Sequence, residues 1–123
     1  MNPQKIQALI KAAYLEAADW ADDVRLDHAF LDDAEAVVTA FYEAFREEIT
    51  WRDLAEQAGH DLWLTRQGHG AGFWDRPTFY GADLAQRLTA YAEGLGECDY
   101  DRDPWDYAEE YEGGAVGWTG SRF

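Results

Sequence analysis

The sequence predicts an α+β domain, in which N-terminal helices pack on a small antiparallel β-hairpin or three-stranded sheet and one further helix completes the fold. Apolar residues in the first half recur every three or four positions, which is the helical period. From residue 61 the pattern changes to alternation, and the helical spacing returns after residue 80. Helices followed by short strands are typical of α+β domains.

Length and composition predict a single domain over residues 1–123, with 47% hydrophobic residues available for a core. We divide it into a helical part (1–58), a hairpin–helix–strand part (59–100) and an acidic, glycine-rich C-terminal extension (101–123). No apolar run reaches the roughly 20 residues of a membrane span, and the N-terminus does not resemble a signal peptide. With a single cysteine and no possible internal disulfide, we expect a soluble protein of a reducing cytoplasm.

The first helix is predicted over residues 3–22, because Asn2 is a good N-cap and Pro3 suits the first helical position. Its buried stripe should contain Ile6, Ile10, Ala13, Ala17, Trp20 and Val24.

A second helix is predicted to begin at Asp32 or Asp33. Its buried face should consist of Val37, Val38, Phe41, Phe45 and Ile49. Thr50 resembles a further cap, so residues 51–58 could form a separate short helix that ends at Gly59; the alternative is a chain that runs straight through Thr50 without a bend.

Residues 61–66 and 71–75 are predicted to pair as a β-hairpin around a glycine-rich turn, and residues 97–100 could add a third strand. In this arrangement Leu62 and Leu64 face the helices. A third main helix should span residues 80–94.

The net charge of −15 arises from 25 Asp and Glu against 10 Lys and Arg. Such a surface repels nucleic acids and anionic membranes, and it attracts basic partners. Most of the excess negative charge lies in residues 1–60 and 97–123. We therefore expect no direct contact with nucleic acid or membrane.

The densest acidic stretch, residues 97–112, is interleaved with aromatic side chains. Because duplex DNA carries one charge per about 1.7 Å of its axis, closely spaced carboxylates can fill a basic nucleic-acid-binding groove. A solvated acidic tail is the simpler alternative. The candidate partner-binding residues are Asp22, Asp23, Asp27, Glu97, Asp99, Tyr100, Asp101, Asp103, Trp105, Asp106, Glu109 and Glu110.

The segment from Asp61 to Arg76, DLWLTRQGHGAGFWDR, resembles a family of small phage and prophage proteins. Their shared stretch reads approximately Asp-Phe-Trp-Leu-Thr-Arg, two variable residues, then Gly-Ala-Gly-Phe-Trp-Asp-Arg. The likeness covers about residues 59–96, and this chain departs from it in the acidic residues 101–112. The resemblance implies a phage or mobile-element origin and transfers no active site.

Several patterns that resemble catalytic or ligand-binding motifs also have structural explanations. Arg66, His69 and Asp75 could form a small catalytic cluster, but a hairpin explains them with Arg66 paired to a carboxylate and His69 in the turn. The glycines of residues 68–72 suit a turn better than a phosphate-binding loop. Asp99, Asp101, Asp103 and Asp106 lack the central glycine of a calcium loop. We expect no enzyme, metal or cofactor.

The sequence thus favours a phage-encoded inhibitor that binds a basic surface of a CRISPR or restriction complex by acidic DNA mimicry, as a monomer or homodimer. The alternative is an accessory or structural phage protein that self-associates through exposed aromatic residues.

Overall fold

Helices make up the regular structure of residues 2–100, which are the residues that the computed structural model describes. Their order is α1 (Pro3–Asp22), α2 (His28–Phe45), α3 (Arg52–Arg66), a 3-10 helix (Phe73–Asp75), α4 (Pro77–Tyr80) and α5 (Ala82–Leu95). No β-strand occurs within this range, so the predicted α+β class is wrong and the described part is all-helical.

The predicted β-hairpin is wrong because its first strand is the end of α3. All five residues from 61 to 65 are buried. A segment buried on every side loses the 3.6-residue alternation that identifies a helix, and its sequence then resembles a strand. The second strand is replaced by the 3-10 helix and α4, and residues 97–100 form no strand.

The prediction of α1 over residues 3–22 is confirmed. The Asn2 side chain accepts a hydrogen bond from the Gln4 backbone N–H at 2.7 Å, and Pro3 occupies the first turn. The helix ends at Asp23, which adopts the left-handed conformation (φ 53°). Trp20 was expected in the core, but 60% of it is exposed.

α2 begins at His28, four residues before the predicted start at Asp32. The Asp27 carboxylate accepts a hydrogen bond from the Phe30 backbone N–H at 2.9 Å and so caps the helix. Asp32 and Asp33 lie inside the first turns instead. The predicted apolar face is confirmed at Val38, Phe41 and Phe45, which are buried.

The separate helix predicted from residue 51 is present, but its predicted end at Gly59 is wrong, since α3 runs from Arg52 through Gly59 to Arg66. Trp51, rather than Thr50, precedes its first turn. Gly59 faces α1, where an added Cβ would lie 2.3 Å from the Ile10 carbonyl oxygen and 2.7 Å from the Ala13 Cβ. The glycine therefore permits a close helix crossing and does not end the helix.

α5 spans nearly the predicted range of residues 80–94 and ends at Gly96, whose φ of 76° favours glycine. α1 packs along α3 and also against α2, while α5 covers α3, α4 and the 3-10 helix. The fully buried Trp63 lies at the centre of one aromatic cluster, with the rings of Tyr14 and Phe30 edge-on to it. Within residues 2–100, no helix combines the length and hydropathy needed to cross a bilayer.

Candidate functional site

Four separate chain segments meet around Trp63: the end of α1, the start of α2, the end of α3 and residues 96–100. The Trp63 indole N–H donates to the Asp22 carboxylate at 2.7 Å. Its ring lies 5.8 Å from those of Phe30 and Tyr100, measured between centroids. This packing brings predicted site residues from both halves of the chain to one end of the molecule.

An open depression of about 400 Å³ occupies this end. Three carboxylates from different segments line it: Asp27 before α2, Asp33 within α2 and Asp99 near the end of the described chain. Phe30 and Tyr100 contribute aromatic surface, and Arg25 contributes a positive charge. We call Asp27, Asp33, Asp99 and Tyr100 the acidic end.

The Lys and Arg ion pairs within residues 2–100 involve acids elsewhere on the molecule. The acids paired in this way are Glu35, Glu43, Glu48, Glu56, Asp61 and Asp83. In this described range, Asp27, Asp33 and Asp99 form no ion pair with Lys or Arg. Their charges therefore remain available to an external cation, apart from the influence of Arg25.

Residues 96–98 are fixed to the end of α3 by side-chain hydrogen bonds. The Gln67 amide donates to the Cys98 carbonyl at 3.2 Å and accepts from the Cys98 N–H at 2.7 Å. The Arg66 guanidinium donates to the Gly96 carbonyl at 2.7 Å. This anchoring holds Asp99 and Tyr100 beside α2, and Glu97 and Asp99 are exposed.

Besides Asp27, which caps α2, two of the predicted partner-binding acids also have structural roles. The Asp22 side chain is only 14% exposed, because it accepts hydrogen bonds from Trp63 and, at 2.7 Å, from His69. Asp23 provides the left-handed end of α1. Asp101, Asp103, Trp105, Asp106, Glu109 and Glu110 lie outside the described residues, and the chain enters their segment directly after Tyr100.

The segment that resembles phage proteins is explained largely by internal contacts. Asp61 is fully buried and accepts hydrogen bonds from the guanidinium of Arg76 (3.0 Å), the hydroxyl of Tyr80 (2.7 Å) and the amide of Gln57 (3.1 Å). Burial and the neighbouring Asp61 carboxylate raise the pKa of Tyr80. Sequence reasoning missed this network, although an acid within an otherwise apolar run was a visible signal.

The loop of the same segment, between α3 and the 3-10 helix, is also held by a hydrogen bond to a side chain of α3. The Thr65 hydroxyl accepts a hydrogen bond from the Phe73 backbone N–H at 3.1 Å. Gly72 adopts a φ of 144° directly beside it, where a Cβ would overlap the Thr65 hydroxyl. His69 was expected in a turn, and it lies in the loop after α3.

The three residues of the alternative catalytic cluster have different partners. Arg66 donates to the Gly96 carbonyl and to the Tyr14 hydroxyl (3.0 Å), not to a carboxylate as predicted. His69 binds Asp22, and Asp75 is exposed on the 3-10 helix. Burial raises the pKa of Tyr14 to about 12, against the opposing effect of Arg66. These contacts stabilise the fold around Trp63.

Cys98 is nearly buried, and burial raises the pKa of its thiol, which lowers its reactivity as a thiolate. Among residues 2–100, no three His, Cys, Asp or Glu side chains converge as metal ligands do.

Over residues 2–100, fold and site together define an acidic, all-helical structure with an anionic depression at one end. No protein-family model, curated protein or solved structure matches this chain.

Proposed function

We propose that the protein is a phage- or mobile-element-encoded inhibitor that binds a basic nucleic-acid-binding surface of a bacterial CRISPR or restriction complex. The observation that supports the proposal is the meeting of Asp27, Asp33 and Asp99 around one depression, without Lys or Arg ion pairs in the described part of the chain. The protein acts by binding and not by catalysis.

A protein groove that binds nucleic acid has to hold phosphate groups. Such a groove gathers Lys and Arg to neutralise phosphates. Carboxylates that converge from separate segments present a comparable anionic surface, and Tyr100 and Phe30 add aromatic contact area. Residue 100 leads directly into the acidic sequence that ends at Glu112, which places more negative charge after the acidic end in the chain.

The proposed class of target rests on the resemblance of residues 61–76 to phage proteins. Small phage proteins often act against host defences. The analogy with them concerns the origin of this protein and not its mechanism. The inhibitor would act in the bacterial cytoplasm as a monomer or homodimer.

The test measures binding of the full chain to purified CRISPR and restriction complexes at increasing NaCl, from about 50 to 500 mM. We expect tight binding that weakens steeply with salt. The triple variant Asp27→Asn, Asp33→Asn, Asp99→Asn should bind at least about ten-fold more weakly, which corresponds to about 1.4 kcal/mol. Asparagine also caps helices well, so α2 should persist in this variant.

A matched control removes the same charge at the other end of α2 and beside it, through Glu43→Gln, Glu47→Gln and Asp83→Asn. The control should retain most of the affinity. Binding that is insensitive to salt, or weakened equally by both triple variants, would contradict occupation of a basic groove by the acidic end.

A second function, an accessory or structural phage protein that self-associates, is favoured by the exposure of large apolar side chains. The exposed fractions are 60% for Trp20, 71% for Trp51, 51% for Trp74 and 45% for Phe79. Light scattering distinguishes the two proposals, because this one requires a stable assembly above the dimer or a virion partner.

A further inference from the structure

A second depression, of about 530 Å³, lies between the outer faces of α1 and α3. Its surface combines apolar side chains with carboxylates at its edge. The apolar group includes Leu9, Leu15 and Leu26, and the acids are Glu16, Asp19 and Glu56.

The apolar part of this depression consists of side chains that remain accessible after α1 has packed its core face against the rest of the protein. Leu9 and Leu15 are only partly buried, and 42% of Leu26 is exposed in the loop after α1. Along α1 the lining positions 9, 12, 16 and 19 are three or four residues apart, so they share a face. These positions span about 15 Å along α1, which is the length of roughly three turns of a second helix lying alongside.

The edge of the depression carries excess negative charge. The Glu16 side chain is 67% exposed and contacts the His60 ring at 2.9 Å. Glu56 is 3.6 Å from the guanidinium of Arg52, and Asp19 is exposed. The edge therefore has three carboxylates and, near them, one arginine and one histidine.

We propose that this depression binds an amphipathic basic helix of a partner protein. The apolar side chains of that helix, spaced i, i+3 or i+4, and i+7, would cover Leu9, Leu15 and Leu26. Lys or Arg on its flanks would meet Glu16, Asp19 and Glu56.

A second copy of this chain does not fit the same depression. No helix within residues 2–100 carries more than two Lys or Arg, and the net charge of the chain is −15. Self-association here would bring like charges together. The depression also shares no lining residue with the acidic end, so this inference goes beyond the proposed function and can fail independently of it.

The experiment uses the full chain and a labelled synthetic peptide of about fourteen residues, long enough for ~four helical turns, with Leu along one face and Lys on both flanks. Fluorescence anisotropy measures binding, and a peptide with Glu in place of Lys tests the role of charge. The variant Ala12→Gln introduces a longer side chain at an exposed position of the depression. Ala40→Gln makes the same change at an exposed position of α2 and serves as the matched control.

We expect the Lys peptide to bind, the Glu peptide not to bind, and Ala12→Gln to weaken binding at least about ten-fold while Ala40→Gln leaves it unchanged. The Asp27→Asn, Asp33→Asn, Asp99→Asn variant should bind the peptide normally, which separates this inference from the proposed function. Helical circular dichroism confirms that each variant is folded.

Three outcomes would overturn the inference. The first is no binding of the Lys peptide, or binding that Ala12→Gln does not change. The second is a dimer of the protein that Ala12→Gln dissociates, since the occupant would then be another copy. The third is a cross-link from a photoreactive residue placed at position 9 or 15 to residues 113–123 of the same chain, if that contact excludes the peptide.

Discussion

Asp61 carries a carboxylate with no exposure to solvent, a position that is stable only if its charge is compensated. Arg76, Tyr80 and Gln57 together supply four hydrogen bonds to its two oxygens. The Arg76 side chain is 35% exposed, so its own desolvation is small while the carboxylate is fully enclosed. This pairing joins α3 to the start of α4 across fifteen residues of sequence.

Replacing Asp61 with Asn should destabilise the protein strongly. The amide keeps the shape but loses the charge that Arg76 neutralises, and its NH2 group would face the Arg76 guanidinium, which can only donate. We expect a loss of about 3 kcal/mol in the free energy of unfolding, measured by urea denaturation. Asp75→Asn, at an exposed position in the same segment, should change stability by less than about 0.5 kcal/mol. A loss at Asp61 as small as that at Asp75 would refute the role of the network.

The separate helices show which local signals predict structure and which do not. α1 and α5 are predicted almost to the residue, since each has one apolar face, a capped or glycine-terminated end and a polar outer face. α3 is not predicted, because its second half is enclosed by α1, α5 and the 3-10 helix and has no polar face to reveal the helical period. Gly59 added to the error, since a glycine signals a helix end only when no other helix passes close to it.

The crossing of α1 and α3 can be tested with a pair of glycine substitutions. Gly59→Ala should lower the free energy of unfolding by about 2–3 kcal/mol, because the added Cβ would overlap Ile10 and Ala13. Gly94→Ala lies inside α5 with no atom within 4 Å of the added Cβ, so it should raise that energy by about 0.5–1 kcal/mol. Thermal melts followed by circular dichroism measure both. Equal shifts of the same sign in the free energy of unfolding would show that α1 and α3 cross less closely than the structure shows.

At the scale of the whole molecule, the Lys and Arg side chains of residues 2–100 form ion pairs with acids in some regions and not in others. Within residues 2–100, Lys and Arg pair with acids on α2, α3 and α5 and with Glu48 after α2, while Asp27, Asp33 and Asp99 around the depression of the acidic end form no such ion pair. The candidate residues Asp27, Asp99 and Tyr100 could be predicted from composition and order in the chain, but Asp33 could not. The packing of Tyr100 on Trp63 and the hydrogen bonds of Arg66 and Gln67 to residues 96–98 bring residue 99 beside α2, and no local pattern encodes those contacts.

A net charge of −15 on a chain of 123 residues should make stability depend on salt. Screening the mutual repulsion of the carboxylates should raise the melting temperature by about 5 °C between ~0.02 and 0.5 M NaCl. The rise should be smaller for a variant with Glu47→Gln, Asp75→Asn and Glu93→Gln, which removes three exposed charges. Calorimetry at matched protein concentration provides the measurement, and a melting temperature that falls with NaCl would exclude net self-repulsion.

Asp22 illustrates a hazard for any mutational scan of this surface. One of its oxygens accepts hydrogen bonds from the Trp63 indole of α3 and from the His69 imidazole of the following loop, so a single carboxylate links three stretches of the chain. An amide at this position would offer one acceptor oxygen and could present its own hydrogens to those donors. Lost binding in an Asp22 variant would therefore report a loosened scaffold as readily as a missing contact, whereas Asp99, exposed near the end of the described chain, gives a cleaner answer.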